Sequence, residues 1–104
     1  MNAKTLTALK GAIVHWKRMR DNPFCGERPS ASECPLCVLF GARTRCKGCP
    51  VMKYTGLAEC LRTPYHEAER AFRGVMRTGL LEGWRAAAQE EIDFLENLLP
   101  KEKP

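Results

Sequence analysis

Five cysteines fall within 27 residues: Cys34, Cys37, Cys46, Cys49 and Cys60. Four of them form two Cys-x-x-Cys pairs, Cys34-Pro-Leu-Cys37 and Cys46-Lys-Gly-Cys49, with eight residues between the pairs. Two intervening residues let both sulfurs of a pair turn toward one point. Two such pairs supply the four soft thiolates that tetrahedral zinc takes in structural sites, each at about 2.3 Å. Pro35 pre-sets one tight turn, and Gly48 allows positive φ in the other. The spacing predicts one structural zinc on Cys34, Cys37, Cys46 and Cys49. Cys60 is an alternate ligand, or a small buried hydrophobe against the site. Cys25, nine residues before Cys34, reads as a bystander. His66, in the first turn of a helix, reads as solvent-exposed rather than as a ligand. His15, beside Trp16, reads as packing or surface.

Other cysteine chemistries compete with this reading. Six cysteines in total could pair as disulfides, but the tandem spacing and the lack of an export signal argue against it. Lys10, His15 and Lys17 interrupt any apolar core of a signal peptide. A redox Cys-x-x-Cys comes singly beside a βαβ pattern, and none is visible. Four thiolates also hold iron, so an iron–sulfur cluster stays open as an alternative. No apolar run approaches the roughly 20 residues that span a bilayer. These points predict a chain of the reducing cytoplasm with no membrane partner.

A zinc closed by four protein ligands leaves no position for water, which argues against a hydrolase or deaminase. The deaminase signature needs a His-x-Glu ahead of Pro-Cys-x-x-Cys, whereas here proline follows Cys34 and His66-Glu67 comes later. No phosphate loop, nucleophile elbow or dinucleotide fingerprint is present. Glu90, Glu91, Asp93 and Glu96 read as the solvated face of the last helix. The expectation is therefore a protein that is not an enzyme.

The formal net charge of +5 is unevenly spread. Residues 1–62 hold eleven Lys/Arg against four Asp/Glu, and residues 63–104 hold six against eight. A basic half suits an acidic partner, nucleic acid included. A zinc with four thiolates is itself anionic, so part of this basicity can neutralise the site. Lys10, Lys17, Arg18, Arg20, Arg43, Arg45 and Lys47 are the candidate partner-binding residues.

The elements that must position these residues are mostly helical. At 104 residues the chain reads as a single small domain: a helix in 1–21, a cysteine-rich metal segment in 22–62 and a helical segment in 63–100. Leu6, Leu9, Ile13 and Trp16 repeat at helical spacing, with Thr5 or Asn2 as cap and Asn22-Pro23 as stop. The middle is rich in Pro, Gly and Ser. Its only strand candidates are Val38-Leu39-Phe40 and Val51-Met52-Lys53-Tyr54, and residues 26–33 read as a surface loop. No internal repeat is evident. Thr63 caps a helix with Pro64 in its first position, and Tyr65, Ala68, Phe72 and Val75 or Met76 form its stripe. Thr78-Gly79 ends or bends it. Leu81, Trp84, Ala88, Ile92, Leu95 and Leu99 carry a second helix to Pro100, followed by a frayed tail. The fold class predicted is mainly α, with an N-terminal helix and a C-terminal helical pair packed around an irregular zinc-knuckle segment. Trp16, Phe72, Trp84 and Phe94 should supply much of the core.

The strings Cys34-Pro-Leu-Cys37, Cys46-Lys-Gly-Cys49-Pro50-Val51, Thr55-Gly56 and Cys60-Leu-Arg-Thr63-Pro64-Tyr65 resemble small cysteine-rich, zinc-binding-type proteins of tailed phages and prophages. His15-Trp16 and the ending Phe94-Leu95-Glu96-Asn97-Leu98 extend the resemblance to most of the chain except residues 22–33. It implies a zinc-bearing phage accessory protein in the bacterial host cytoplasm, and it brings no activity with it. Its five-cysteine pattern implies that Cys60 is a ligand or lies against the site. The function expected is non-enzymatic binding of a host or phage macromolecule, a protein more than nucleic acid, with inhibition of a host defence complex as one form. The alternative is a nucleic-acid-binding zinc protein acting through the basic N-terminal helix and knuckle.

Overall fold

A computed structural model describes residues 1–41 and 45–100. Among these, five helices and no strands are present: α1 (Ala3–Asp21), α2 (Pro35–Phe40), α3 (Pro50–Thr55), α4 (Tyr65–Thr78) and α5 (Trp84–Asn97). The N-terminal helix packs against the C-terminal ones, with α1 against α5 and α5 against α4. Arg43 and the tail 101–104 lie outside the described residues.

Helix α1 starts earlier than Thr5. Asn2 is its cap, and the Asn2 Oδ1 accepts from the Thr5 N–H at 2.8 Å. A short polar side chain just outside the first turn satisfies a donor that has no partner within the helix. Thr5 is thereby moved inside the helix, where it is buried. At the other end Asn22 is extended (φ −150°, ψ 96°), as a residue before proline must be.

The core joins three helix faces. Leu9, Ile13, Trp16 and Met19 come from α1, Ala68, Phe72 and Val75 from α4, and Trp84, Ala88, Ile92 and Leu95 from α5. Trp84 is wholly buried, and its ring lies 6.3 Å from that of Trp16 and 5.5 Å from that of Phe72. Its indole N–H would be costly to bury unpaired, and it donates to the Met19 carbonyl at 3.0 Å. Phe94 sits only at the rim, edge-on to Tyr54 at 5.7 Å. Met76 and Leu81 are exposed, so Val75 holds the α4 stripe and Leu81 belongs to the turn between helices. Gly79 (φ +75°) ends α4 and Gly83 (φ +77°) opens α5. The left-handed region these two positions require is open to glycine at little cost.

The two segments expected as short strands are helices. In each, a cysteine in extended conformation is the cap, proline takes the first helical position, and glycine follows the last. The Val38 N–H donates to the Cys34 carbonyl and the Lys53 N–H to the Cys49 carbonyl, both at 2.9 Å. Proline there loses no bond the helix needs, and its fixed φ favours the first turn. This local preference outweighs the β tendency of Val38 and Val51. The arrangement exposes a short repeat, Cys-Pro-x5-Gly, at 34–41 and again at 49–56. Its third residue is buried both times, Leu36 at 2% and Val51 at 3% exposure. Helix α2 lies against α1 at Gly11, where a Cβ would stand 3.2 Å from Pro35 Cγ.

Helix α4 starts at Tyr65, one residue later than expected, with Pro64 in the cap position. Thr63 still serves the helix, because its Oγ1 accepts from the Tyr65 N–H at 3.3 Å and donates to the Cys60 carbonyl at 2.7 Å. The loop at 26–33 is fastened rather than loose. Pro29 is buried and its carbonyl accepts from the Tyr65 hydroxyl at 2.9 Å. His15, 2% exposed, lies between the Glu27 carboxylate at 2.7 Å and the Arg28 carbonyl at 3.0 Å. Arg18 grips the same carboxylate with Nε and Nη2. The Arg18 and His15 hydrogen bonds hold the Glu27 carboxyl at about 2, well below the usual carboxylate range. His15 is thus a packing residue that clamps the loop onto α1.

Candidate functional site

Cys34, Cys37, Cys46, Cys49 and Cys60 line one cavity of about 670 Å³. Trp16, Tyr65, Leu95 and Glu91 close it on the side of the long helices. Cys49 is buried and the other four are half-buried, whereas Cys25 is exposed and outside the cavity. None of the six is in a disulfide. Among the described residues no three Cys, His, Asp or Glu side chains converge as a closed metal shell. The thiols are spread around the cavity wall, and the expected convergence of both pairs on one point is not reached. The physical reason is their placement. Cys34 and Cys49 cap separate short helices, and Cys46 and Cys60 stand on separate turns.

The backbone places each sulfur differently. Cys34 and Cys49 open α2 and α3, so amide N–H groups of the first turn lie near their sulfurs without closing a full cap bond. Cys46-Lys-Gly-Cys49 is a turn closed by the Cys49 N–H on the Cys46 carbonyl at 2.9 Å, with Gly48 at φ +91°. Arg45 (φ 50°) and Cys46 (φ 70°) are both left-handed, and so are Glu59 (φ 60°) and Cys60 (φ 58°). Each such non-glycine residue costs on the order of 1 kcal/mol, and it persists only where its surroundings fix it. Cys60 therefore stands in the same backbone setting as Cys46, a likeness that sequence spacing does not reveal.

The sulfurs feel one another. Cys37 donates to Cys34, which favours the Cys34 thiolate and pushes the Cys37 thiol strongly up, so the pair shares a proton with the charge on Cys34. Burial raises the Cys49 thiol, with amide groups of Val51 and Met52 opposing the shift. Burial, then the Glu91 charge, pushes Cys60 up to about 12. Low-pKa thiolates are the ligands and nucleophiles, and raised ones need a cation to ionise. Thiolates are the donor type that soft divalent cations take.

Glu91 is the residue that sequence reasoning misplaced. It is not on the solvated face of α5 but 3% exposed, on the cavity wall, and its Oε1 has no hydrogen-bond partner. Burial, then the Cys34 charge, raises its carboxyl to about 8. The signal was available, because Glu91 falls three residues after Ala88 and four before Leu95, on the apolar stripe itself. His66 is exposed at the cavity edge, where its Nε2 lies 3.1 Å from the Glu59 carbonyl.

The described basic residues differ in their partners and exposure. Arg18 is tied to Glu27, and Arg20 bonds Asp21 at 2.9 Å and Gln89 of α5 at 2.7 Å. Both arginines thus make contacts within the chain, Arg18 while remaining exposed. Lys10 is exposed and Lys17 half-buried on α1, and Arg45 and Lys47 are exposed beside Cys46. No helix among the described residues is long and apolar enough to cross a membrane. The chain matches no family model, no curated protein and no solved structure with which it was compared.

Proposed function

We propose that this is a non-enzymatic accessory protein whose cysteine cavity carries one structural zinc and whose outer surface binds another protein. The observation that carries the metal reading is the sharing of one cavity by five cysteines. The donor chemistry fits: sulfur ligands suit zinc, and a bound cation would offset the left-handed strain at Cys46 and Cys60. Cys34, Cys37, Cys46, Cys49 and Cys60 are the residues that would hold it. The zinc would fix α2, α3 and the turns between them.

A protein partner is favoured over nucleic acid by what the short helices expose. Val38 is 68% and Leu39 41% exposed on α2, Tyr54 is 72% exposed on α3, and Leu61 is 47% exposed. Val38 and Leu39 also line one shallow groove beside α1, and exposed apolar surface of this kind suits protein contact. Arg18 and Arg20 are paired within the chain, Arg18 while still exposed, which weakens the basic patch that would follow a phosphate backbone. The resemblance to phage accessory proteins points to a host protein, a defence component included, as the partner.

The test is affinity capture from bacterial lysate across a salt series, with nuclease treatment and two variants as arms. The expected complex survives nuclease, holds at high salt and is lost with Val38→Asp, while Lys10→Glu/Lys17→Glu mainly slows association. A complex that nuclease removes would contradict the reading. So would an affinity that falls steeply with salt, with a slope that shrinks by about one per lost phosphate contact in the lysine variant.

A further inference from the structure

Glu91 raises a question that a zinc bound only by sulfur leaves open. It sits in the middle of α5, on the face that also presents Ala88, Ile92 and Leu95 to the core. A carboxylate buried this deeply is costly unless it is paired, hydrogen-bonded or bound to a metal. Its Oε1 has no hydrogen-bond partner. The other residues of the wall are the five cysteines together with mostly apolar side chains. Among the described residues no lysine or arginine lines it, and His66 is exposed at its edge. An ion held by the thiolates is the partner that this wall's own donor set would bring to Glu91.

We propose that Glu91 is an oxygen ligand to the divalent cation of the cysteine cavity, in place of one thiolate, so that the shell is mixed thiolate and carboxylate. This rests on the zinc reading given above and deepens it. The mixed shell also accounts for the unpartnered oxygen. Four thiolates leave a zinc centre at about −2 and leave the buried Glu91 carboxyl beside it without a partner. Three thiolates plus Glu91 keep the same total and leave no orphan oxygen. Three of the five cysteines on the same wall would complete the shell. The arrangement also gives the fold a tie it otherwise lacks a reason for. The metal would join the turn-rich 34–60 segment to the rigid C-terminal helix.

X-ray absorption on the zinc-loaded full chain tests this, with Glu91→Gln and His66→Ala as variants. The expected wild-type shell has sulfurs at about 2.3 Å and one oxygen scatterer at about 2.0–2.2 Å. That scatterer should persist in His66→Ala and disappear in Glu91→Gln, with zinc affinity falling about 10-fold or more in the latter. An all-sulfur shell in the wild type overturns the proposal while leaving the zinc site intact. A light scatterer that survives Glu91→Gln, or that is lost with His66→Ala, overturns it as well. If Glu91→Gln does not fold, Glu91→Asp decides: retention of the light scatterer with weaker zinc binding supports the proposal, and unchanged affinity overturns it. A chain that takes up no zinc defeats this proposal and the zinc reading together, a result distinct from the others.

Discussion

Cys34→Ser is expected to cost the protein its cooperative fold across residues 34–62, while Cys25→Ser leaves the melting temperature unchanged. Cys34 is the cap of α2, and serine is at least as good a cap as cysteine, so a loss of stability cannot come from capping. What the substitution removes is a sulfur on the shared cavity wall. The segment has little else to hold it. Helices α2 and α3 have six residues each, far below the length at which a helix is stable alone. Among its described residues the segment also carries five left-handed non-glycine ones, Arg45, Cys46, Glu59, Cys60 and Arg62. Structural zinc contributes on the order of 10–16 kcal/mol in small zinc peptides, comparable with the whole stability of a domain. Thermal unfolding followed by circular dichroism, with zinc content measured alongside, checks this. A Cys34→Ser melting curve that overlays the wild type would contradict it. Cys25 is exposed and off the cavity, so it serves as the matched control.

Trp84→Ala is expected to destabilise by about 3–5 kcal/mol, a large share of the roughly 5–15 kcal/mol that a domain has. The indole is 0% exposed, stacks against Trp16 and Phe72, and donates to the Met19 carbonyl. The substitution opens a large cavity where α1, α4 and α5 meet. Trp84→Phe keeps much of the apolar volume and removes the N–H donor, so its expected cost is smaller, about 1–3 kcal/mol. Urea unfolding of the three proteins gives the series. Equal midpoints for Trp84→Ala and the wild type would show that this junction is not the centre of the core.

The long helices were legible because their apolar residues recur over many turns. Leu9, Ile13 and Trp16, and likewise Trp84, Ala88, Ile92 and Leu95, fall on one side only if the chain is helical. Helices α2 and α3 were not legible by that route. Six residues make less than two turns, too few to tell a helical period from a strand. Their sequence signature was different in kind: a cysteine, a proline and, six residues after the proline, a glycine, repeated once. The cysteines that could bind metal were evident from spacing, but their distribution around a cavity was not, because spacing fixes pairs and not the turns between them. Arg18 and Arg20 read as free surface charge since their partners, Glu27 and Gln89, are distant in sequence. Glu91 was hidden by its residue type, although its position on the stripe was plain.

The central claim is that the cysteine cavity is a zinc site, and elemental mass spectrometry of natively purified protein, prepared without added metal, tests it most directly. The account predicts one zinc per chain with no iron. A folded, metal-free protein, or one rich in iron, would contradict it.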